Sequence, residues 1–397
     1  MGEYERLVEL VNATIKVRAR EAIELSDALA ALPEISEQEF ESSKTHAGFL
    51  RNSGFSVEYP FFGIPTAYRG RVGSCSGSSG RLAIMAEYDA LPGIGHACGH
   101  NVHGAKSLLA GAALAPVMER LGGELHIIGT PAEETNGAKM TMAAGGVFDG
   151  FNLALMLHSS SNESLVRYRS LAMDGVEFTF RGRASHAAAS PWEGRNALNG
   201  AQLFFHAIDM LRQHVRPEVR MHGIYLDGGM ACNIVPEAAT VRFYFRSPRR
   251  AYLNGLLERA YNAARGAALA TETEVSWHNF ELSFDELLPN DAAETMMEGI
   301  YDELGIAYGH DDSPGGSSDV GNVSQRCPTL QPLLSIVDKP LTLHTREFAA
   351  ATIEPQAHEA IVTGARILAR AALKTFLEPD LRNRMHDDLV KTKSRNE

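Results

Sequence analysis

Three short apolar runs, at residues 82–88, 125–130 and 153–157, are each followed closely by side chains that can carry chemistry. Between the first two lies residues 102–120, rich in alanine and leucine at helical spacing. Runs this apolar read as strands buried on both faces. Strands alternating with helices call for an α/β fold, a mainly parallel sheet sandwiched by helices. Open sheets of that kind take their ligands beyond the carboxyl ends of the strands. There the chain places Asp89, Cys98 and His100 after the first run, and Glu133 and Glu134 after the second. His158 follows the third, and His344 follows a late apolar stretch at 330–337.

The flanking segments extend this organisation. Apolar positions at helical spacing predict a long helix over 4–31, ended by Pro33, and Ser36 with Glu39 reads as a capping box for a helix to about 51. Near Asp174 the pattern changes: Val176, Phe178 and Phe180 alternate with Glu177, Thr179 and Arg181, as in a strand with one wet face. A helix over 195–213, strands at 220–227 and 238–247, a helix over 252–269 and a strand over 273–280 follow. That order is β-α-β-β-α-β, the ferredoxin-like α+β arrangement. The expected organisation is therefore a discontinuous catalytic domain of residues 1–173 and 286–397, interrupted by an inserted domain of residues 174–285. The stretch from about 378 is polar and reads as a loosely held helix or tail.

Bulk properties narrow the function. Formal net charge is −12, which disfavours nucleic-acid and anionic-membrane partners. No apolar run reaches bilayer-spanning length, and the start lacks a signal-peptide pattern. Cys75, Cys98, Cys232 and Cys327 are scattered, as reduced thiols of a cytoplasmic protein would be.

One thiolate, one carboxylate and three imidazoles suit zinc, manganese, cobalt or nickel. Five ligands exceed what one catalytic ion takes while keeping a water position, and suit two ions sharing a bridging ligand. In the pair Glu133-Glu134 one carboxylate can bind metal while its neighbour serves as a base. Each residue alone has a plainer reading. Cys98 would be a small buried hydrophobe, Glu133-Glu134 a solvated pair, His158 a core histidine. Their joint placement at strand ends carries the functional reading.

The segments Ala86-Glu87-Tyr88-Asp89-Ala90-Leu91-Pro92 and His96-Ala97-Cys98-Gly99-His100 resemble the aminoacylase/carboxypeptidase metallohydrolases. The closest subgroup contains hippurate, indole-acetyl-amino-acid and p-aminobenzoyl-glutamate hydrolases. Thr130-Pro131-Ala132-Glu133-Glu134, Ser185-His186-Ala187-Ala188, Asn233-Ile234-Val235-Pro236, Ser318-Asp319-Val320-Gly321 and His344-Thr345-Arg346-Glu347-Phe348 extend the match. The resemblance implies that Cys98, His100, Glu134, His158 and His344 hold two divalent metal ions per subunit, with Glu133 as catalytic base and Asp89 orienting the site. It implies that the inserted domain is a lid and homodimerisation domain. From it His186 would reach the partner's active site, and Asn233 and Arg246 would bind the polar or carboxylate end of the substrate. Alternation along 238–247 also puts Arg246 on the face opposite Val241, Phe243 and Phe245. Asn101 stands where much of the family carries Asp, and Ser317-Ser318-Asp319-Val320 replaces a commoner Glu-Asp-Phe loop; both variants resemble the branch with p-aminobenzoyl-glutamate hydrolase and dipeptide-cleaving relatives.

The expected activity is amide hydrolysis by a metal-bound water, acting on an N-acyl amino acid, an aminobenzoyl-glutamate-like conjugate or a dipeptide. A strict dipeptidase or carboxypeptidase is a narrower version. The rival class is a catalytically silent binding or regulatory protein, which would lack the base or a ligand. A nucleotide-binding enzyme would need a glycine fingerprint after the first strand, and the glycines around Cys98 are spaced for a turn.

Overall fold

The computed structural model describes residues 2–74, 79–310 and 316–396. Cys75 lies outside them. The chain opens with helices α1 (Glu3–Ala31) and α2 (Phe40–Asn52), then strands β1 (Ser56–Glu58), β2 (Tyr68–Gly73) and β3 (Arg81–Ala86). Helices α3 (His100–Leu114) and α4 (Met118–Leu121) lead to β4 (Glu124–Gly129), α5 (Ala138–Ala144), β5 (Leu153–Leu155), β6 (His158–Ser160) and β7 (Leu165–Arg167). Next come β8 (Ala172–Arg181), α6 (Ala197–Leu211), β9 (Arg220–Asp227), β10 (Ala238–Ser247), α7 (Arg250–Thr271) and β11 (Glu274–Asn279). The last part holds α8 (Asp291–Leu304), β12 (Gly309–His310), α9 (Val320–Ser324), β13 (Thr329–Leu330), β14 (Leu333–Ser335), α10 (Arg346–Ala351), α11 (Pro355–Leu377) and α12 (Pro379–Asn396).

The central sheet runs β1-β2-β4-β3-β5-β13. Its β4-β3-β5-β13 half is parallel, and β2 and β1 add an antiparallel edge. Strands β3, β4 and β5 are buried on both faces, as their unbroken apolar runs require. Leu82, Ile84, Leu125, Ile127, Leu153 and Leu155 pack on one side with α1, α3 and α11. Ala83, Met85, Ile128 and Ala154 pack on the other with α5 and α9. Every residue of α3 is buried, which its small side chains allow at the centre of the helical layer. Pro332 splits the late apolar stretch into β13 and β14, and β14 joins a second small sheet, β12-β7-β14-β6.

The chain between β8 and β11 forms an antiparallel sheet ordered β11-β8-β10-β9, covered by α6 and α7. Its core of Val176, Phe178, Phe180, Phe204, Val241, Phe243, Phe245 and Leu253 is separate from those of the central sheet. No helix among the described residues is long and apolar enough to cross a membrane.

Two expectations are corrected. Ser36 and Glu39 form no capping box: Glu34 caps α2 instead, accepting from Glu41 N and Ser42 N, while Ser36 Oγ donates to Asp89 Oδ2 at 2.8 Å and buried Glu39 accepts from Ala132 N at 2.8 Å. Both side chains are drawn into the scaffold of the candidate site. Nor is the polar C-terminal stretch loosely held. Leu381, Met385 and Leu389 recur every four residues, so α12 buries one apolar stripe. Asn290 Nδ2 donates to the Met385 carbonyl at 2.7 Å and fixes it against the start of α8.

Candidate active site

The turn leaving β3 delivers the first donors. Gly99 caps α3 at φ 80°, and a Cβ there would lie 2.9 Å from Ser159 Cβ. Glycine answers both demands, the left-handed backbone and the close approach. That approach sets Cys98 Sγ 3.5 Å from His158 Nε2. His100 Nδ1 lies 2.9 Å from Asp89 Oδ1. A carboxylate there requires the proton on Nδ1, so Nε2 is left to offer a lone pair. Asp89 Oδ2 accepts from Glu134 N at 3.1 Å as well as from Ser36, so one carboxylate ties His100 to the Glu133-Glu134 segment.

Two non-glycine residues at this edge occupy the left-handed region, Ala132 at φ 61° and His344 at φ 62°. Such conformations cost about 1–3 kcal/mol each and persist where the surroundings over-determine them. Here Ala132 N is held by Glu39, and His344 N donates to the Ala97 carbonyl at 2.9 Å. The strain sits beside Glu133 and in His344 itself.

The donor atoms converge. Cys98, Glu134 and His344 each place one within 4.8 Å of the other two, and Glu87, His100, His103 and His158 form an adjoining group. His344 Nε2 is 3.5 Å from Glu134 Oε1, and His100 Nε2 is 4.0 Å from both Glu133 Oε2 and Glu134 Oε1. These separations are too long for hydrogen bonds. They suit atoms gathered around a cation that binds each at about 2.0–2.3 Å. Among the described residues, His100 Nε2 and Glu134 Oε1 are buried with no hydrogen-bond partner. Donor chemistry, spacing and these two orphaned atoms fit divalent metal.

Electrostatics at His158 agree with that fit. Burial holds the His158 imidazole down at about 4, so its ring is neutral and able to ligate. Burial, reinforced by the Glu134 charge, pushes the Cys98 thiol well above its ordinary range. Burial, with the Glu87 and Glu134 charges close by, likewise raises Glu133 well above the carboxylate range.

Beneath this ring lies an ionic cluster that the sequence reading gave no role. Lys139 Nζ donates to Glu87 Oε1 and to Asp319 Oδ1 at 2.7 Å each, and all three side chains are fully buried. Glu87 Oε2 lies 3.0 Å from His103 Nδ1, and His103 Nε2 accepts from Ser159 N at 2.6 Å. The cluster thereby grips the residue next to His158. Alternation could have flagged Glu87, two residues before Asp89; nothing marks a lone lysine in α5.

Cys98, Glu133, Glu134, His158 and His344 line a cavity of about 570 Å³. The antiparallel sheet β11-β8-β10-β9 and its margin also contribute to the lining, through Tyr244, Arg246, Glu281 and Phe284. Arg246 is thus brought to the site. His186 and Asn233 are not: both are exposed and lie outside this cavity. They neighbour each other, since Ala187 N donates to the Asn233 carbonyl at 3.0 Å. His96 is buried and is not part of the cavity lining. Asn101 is spent on structure, with Nδ2 donating to Ser26 Oγ at 3.1 Å.

Comparison with known proteins places this site in a wider setting. The model of peptidase family M20/M25/M40 matches residues 83–374. Xaa-Arg dipeptidase of Mus musculus is 32% identical, the alignment covering 94% of this chain and 91% of that one. A p-aminobenzoyl-glutamate hydrolase chain from Escherichia coli (strain K12) is 30% identical over 74% of this chain and 64% of that one. In fold, the chain resembles the Bacillus subtilis YXEP protein, described as a dinuclear metal-binding peptidase of the M20 family. The TM-score is 0.70 at 20% identity, covering 90% of this chain and 98% of that one.

Proposed function

Because the chain belongs to peptidase family M20/M25/M40 and is a metal-dependent hydrolase of amide bonds, we propose that it cleaves the bond joining an acyl or aminoacyl group to an amino acid. The observation that carries this reading is the position of Glu133, beside the donor ring and on the cavity wall. Cys98, His100, Glu134, His158 and His344 would hold two divalent ions, of zinc, manganese, cobalt or nickel. Bound there, such ions would polarise the carbonyl and acidify water. Glu133 takes the proton from the attacking water at its carboxylate and hands it to the leaving amine nitrogen. Asp89 keeps the His100 ring oriented, and Arg246 binds the carboxylate of the leaving amino acid.

We further take residues 174–285 as a lid and dimerisation domain, with His186 and Asn233 serving the cavity of a partner protomer. Supporting this, both residues are exposed on one side of the inserted domain. Ile224, Tyr225 and Leu226 on the edge strand β9, and Leu203 and Met210 on α6, are exposed apolar side chains of this domain. Free Cys98, Cys232 and Cys327 support a cytoplasmic setting.

The test is Glu133→Gln, measured for metal content and turnover together. Bound metal should stay at the wild-type level while kcat falls by at least about a thousandfold, within the range one proton-transfer group supplies. Turnover near wild type would remove Glu133 from the mechanism.

A further inference from the structure

Beyond the metal-site donors and Glu133, the charged side chains among the described residues that line the cavity are one cation and one anion, Arg246 and Glu281. They come from different elements, Arg246 from β10 and Glu281 from the segment just after β11. Tyr244 stands between them. Its ring lies 5.7 Å from the Arg246 guanidinium carbon, and its hydroxyl donates to Glu281 Oε1 at 2.7 Å. That hydrogen bond fixes the Glu281 carboxylate at the wall. Phe280, at the margin of the same segment, packs edge-on against Tyr244 at 5.3 Å and stiffens the arrangement.

We infer that Glu281 selects substrates whose leaving residue carries a cationic side chain, an amine or a guanidinium. The inference rests on the amidohydrolase reading above, with Arg246 holding the carboxylate of the leaving residue. A leaving residue with a cationic side chain then presents one negative and one positive group to a wall offering their complements. A glutamyl leaving residue presents two negative groups, and its side chain faces the Glu281 carboxylate in a partly desolvated cavity, where like charges are penalised. A neutral side chain gains no attraction from Glu281 and meets no repulsion, and falls between. This separates two substrate types that sequence alone left together, aminobenzoyl-glutamate-like conjugates and dipeptides.

The experiment measures kcat/KM on metal-loaded protein for arginine, lysine, leucine and glutamate conjugates, each with several acyl and aminoacyl groups. It also measures binding of free arginine and glutamate by calorimetry. Arginine and lysine conjugates should exceed leucine conjugates at least tenfold, with glutamate last. Glu281→Gln should cut the arginine-to-leucine ratio at least tenfold, Glu281→Asp should keep most of it, and Glu281→Lys should favour glutamate over arginine. Hydrolysis with a glutamate preference, or a ratio unchanged in Glu281→Gln, would overturn the inference and leave the amidohydrolase reading standing. If no conjugate is cleaved under any metal, that reading fails instead. Calorimetry then decides on Glu281: arginine binding weakened at least tenfold by Glu281→Gln supports its role, and equal affinity for arginine and glutamate overturns it.

Discussion

Two charged clusters share the carboxyl edge of the central sheet and are built on opposite rules. In the lower one, Lys139, Glu87, Asp319 and His103 meet at 2.7–3.0 Å, and each contact pairs a donor with an acceptor. In the upper one, Cys98, His100, Glu134, His158 and His344 meet at 3.5–4.0 Å, and outside the Cys98–His158 contact the facing His100, His344 and Glu134 atoms lie too far apart for hydrogen bonds. In the lower cluster one cation bridges two carboxylates, and its polar atoms are matched bond for bond, so it can be buried as it stands. The upper cluster crowds electron-rich atoms that favour a shared cation. Adjacent groups of similar composition therefore do different work, one as scaffold and one as metal ring. Substitutions should hurt them differently.

The largest effect is expected in the scaffold. Lys139→Met leaves two carboxylates buried without a cation, and breaking a buried pair from one side costs about 3–5 kcal/mol. The folded fraction in urea should collapse with metal present or absent. A variant as stable as wild type would show that the lower cluster is not what holds this edge together. Asp89→Asn probes the junction, since Asp89 touches both His100 and the Glu134 backbone. Loss of such an orienting carboxylate costs about 10–100-fold in metal affinity. Metal titration should show that loss, with a much smaller change in unfolding than Lys139→Met; unchanged affinity would mean that His100 needs no orientation.

This contrast also explains what the sequence made legible. The donor ring could be read because each member sits at the end of an apolar run, and strand alternation marks that place without a structure. The α/β class followed from the same runs. The scaffold could not be read, because Lys139 and Asp319 meet across 180 residues, and neither the apolar neighbours of Lys139 nor the small polar loop around Asp319 gives a periodic signal. Ser36 and Glu39 misled for a related reason. Their spacing fits a local cap, but their partners, Asp89 and Ala132, are far along the chain. In α12, the mostly polar composition hid Leu381, Met385 and Leu389, which share one stripe. Arg246 was reachable by alternation on its strand, whereas Glu281 follows a strand end and carries no periodic signal.

Acid sharpens the comparison further. His46 is fully buried against Tyr68 and Tyr88, and burial lowers it from 6.5 to about 3. Its unfolded form binds a proton at a higher pH than its folded form. The stability due to the neutral ring is therefore fully present above pH 6.5 and is lost as pH falls from 6.5 toward 3, at about 1.4 kcal/mol for each unit. Denaturant midpoints at pH 7.5 and 5.5 should differ accordingly in wild type and by less in His46→Gln. Equal slopes would assign the acid sensitivity elsewhere.

The smallest effect on folding belongs to the ring, and it is the sharpest test of the contrast. The His344 side chain is 54% exposed and its ring faces Glu134 at 3.5 Å, without the close pairing seen around Lys139. Its left-handed backbone at φ 62° favours histidine and asparagine over alanine, so His344→Asn is the variant that removes the imidazole without adding strain there. In chelator-treated protein the change should shift unfolding by less than about 0.5 kcal/mol, as for surface substitutions generally. With metal supplied, the same variant should lose much of the ligand-dependent stabilisation that wild type gains by mass action, because a donor is missing from the ring. A large loss in the chelated state would mean that the ring, like the cluster below it, holds the fold by its own contacts, and the division between scaffold and metal ring would fall.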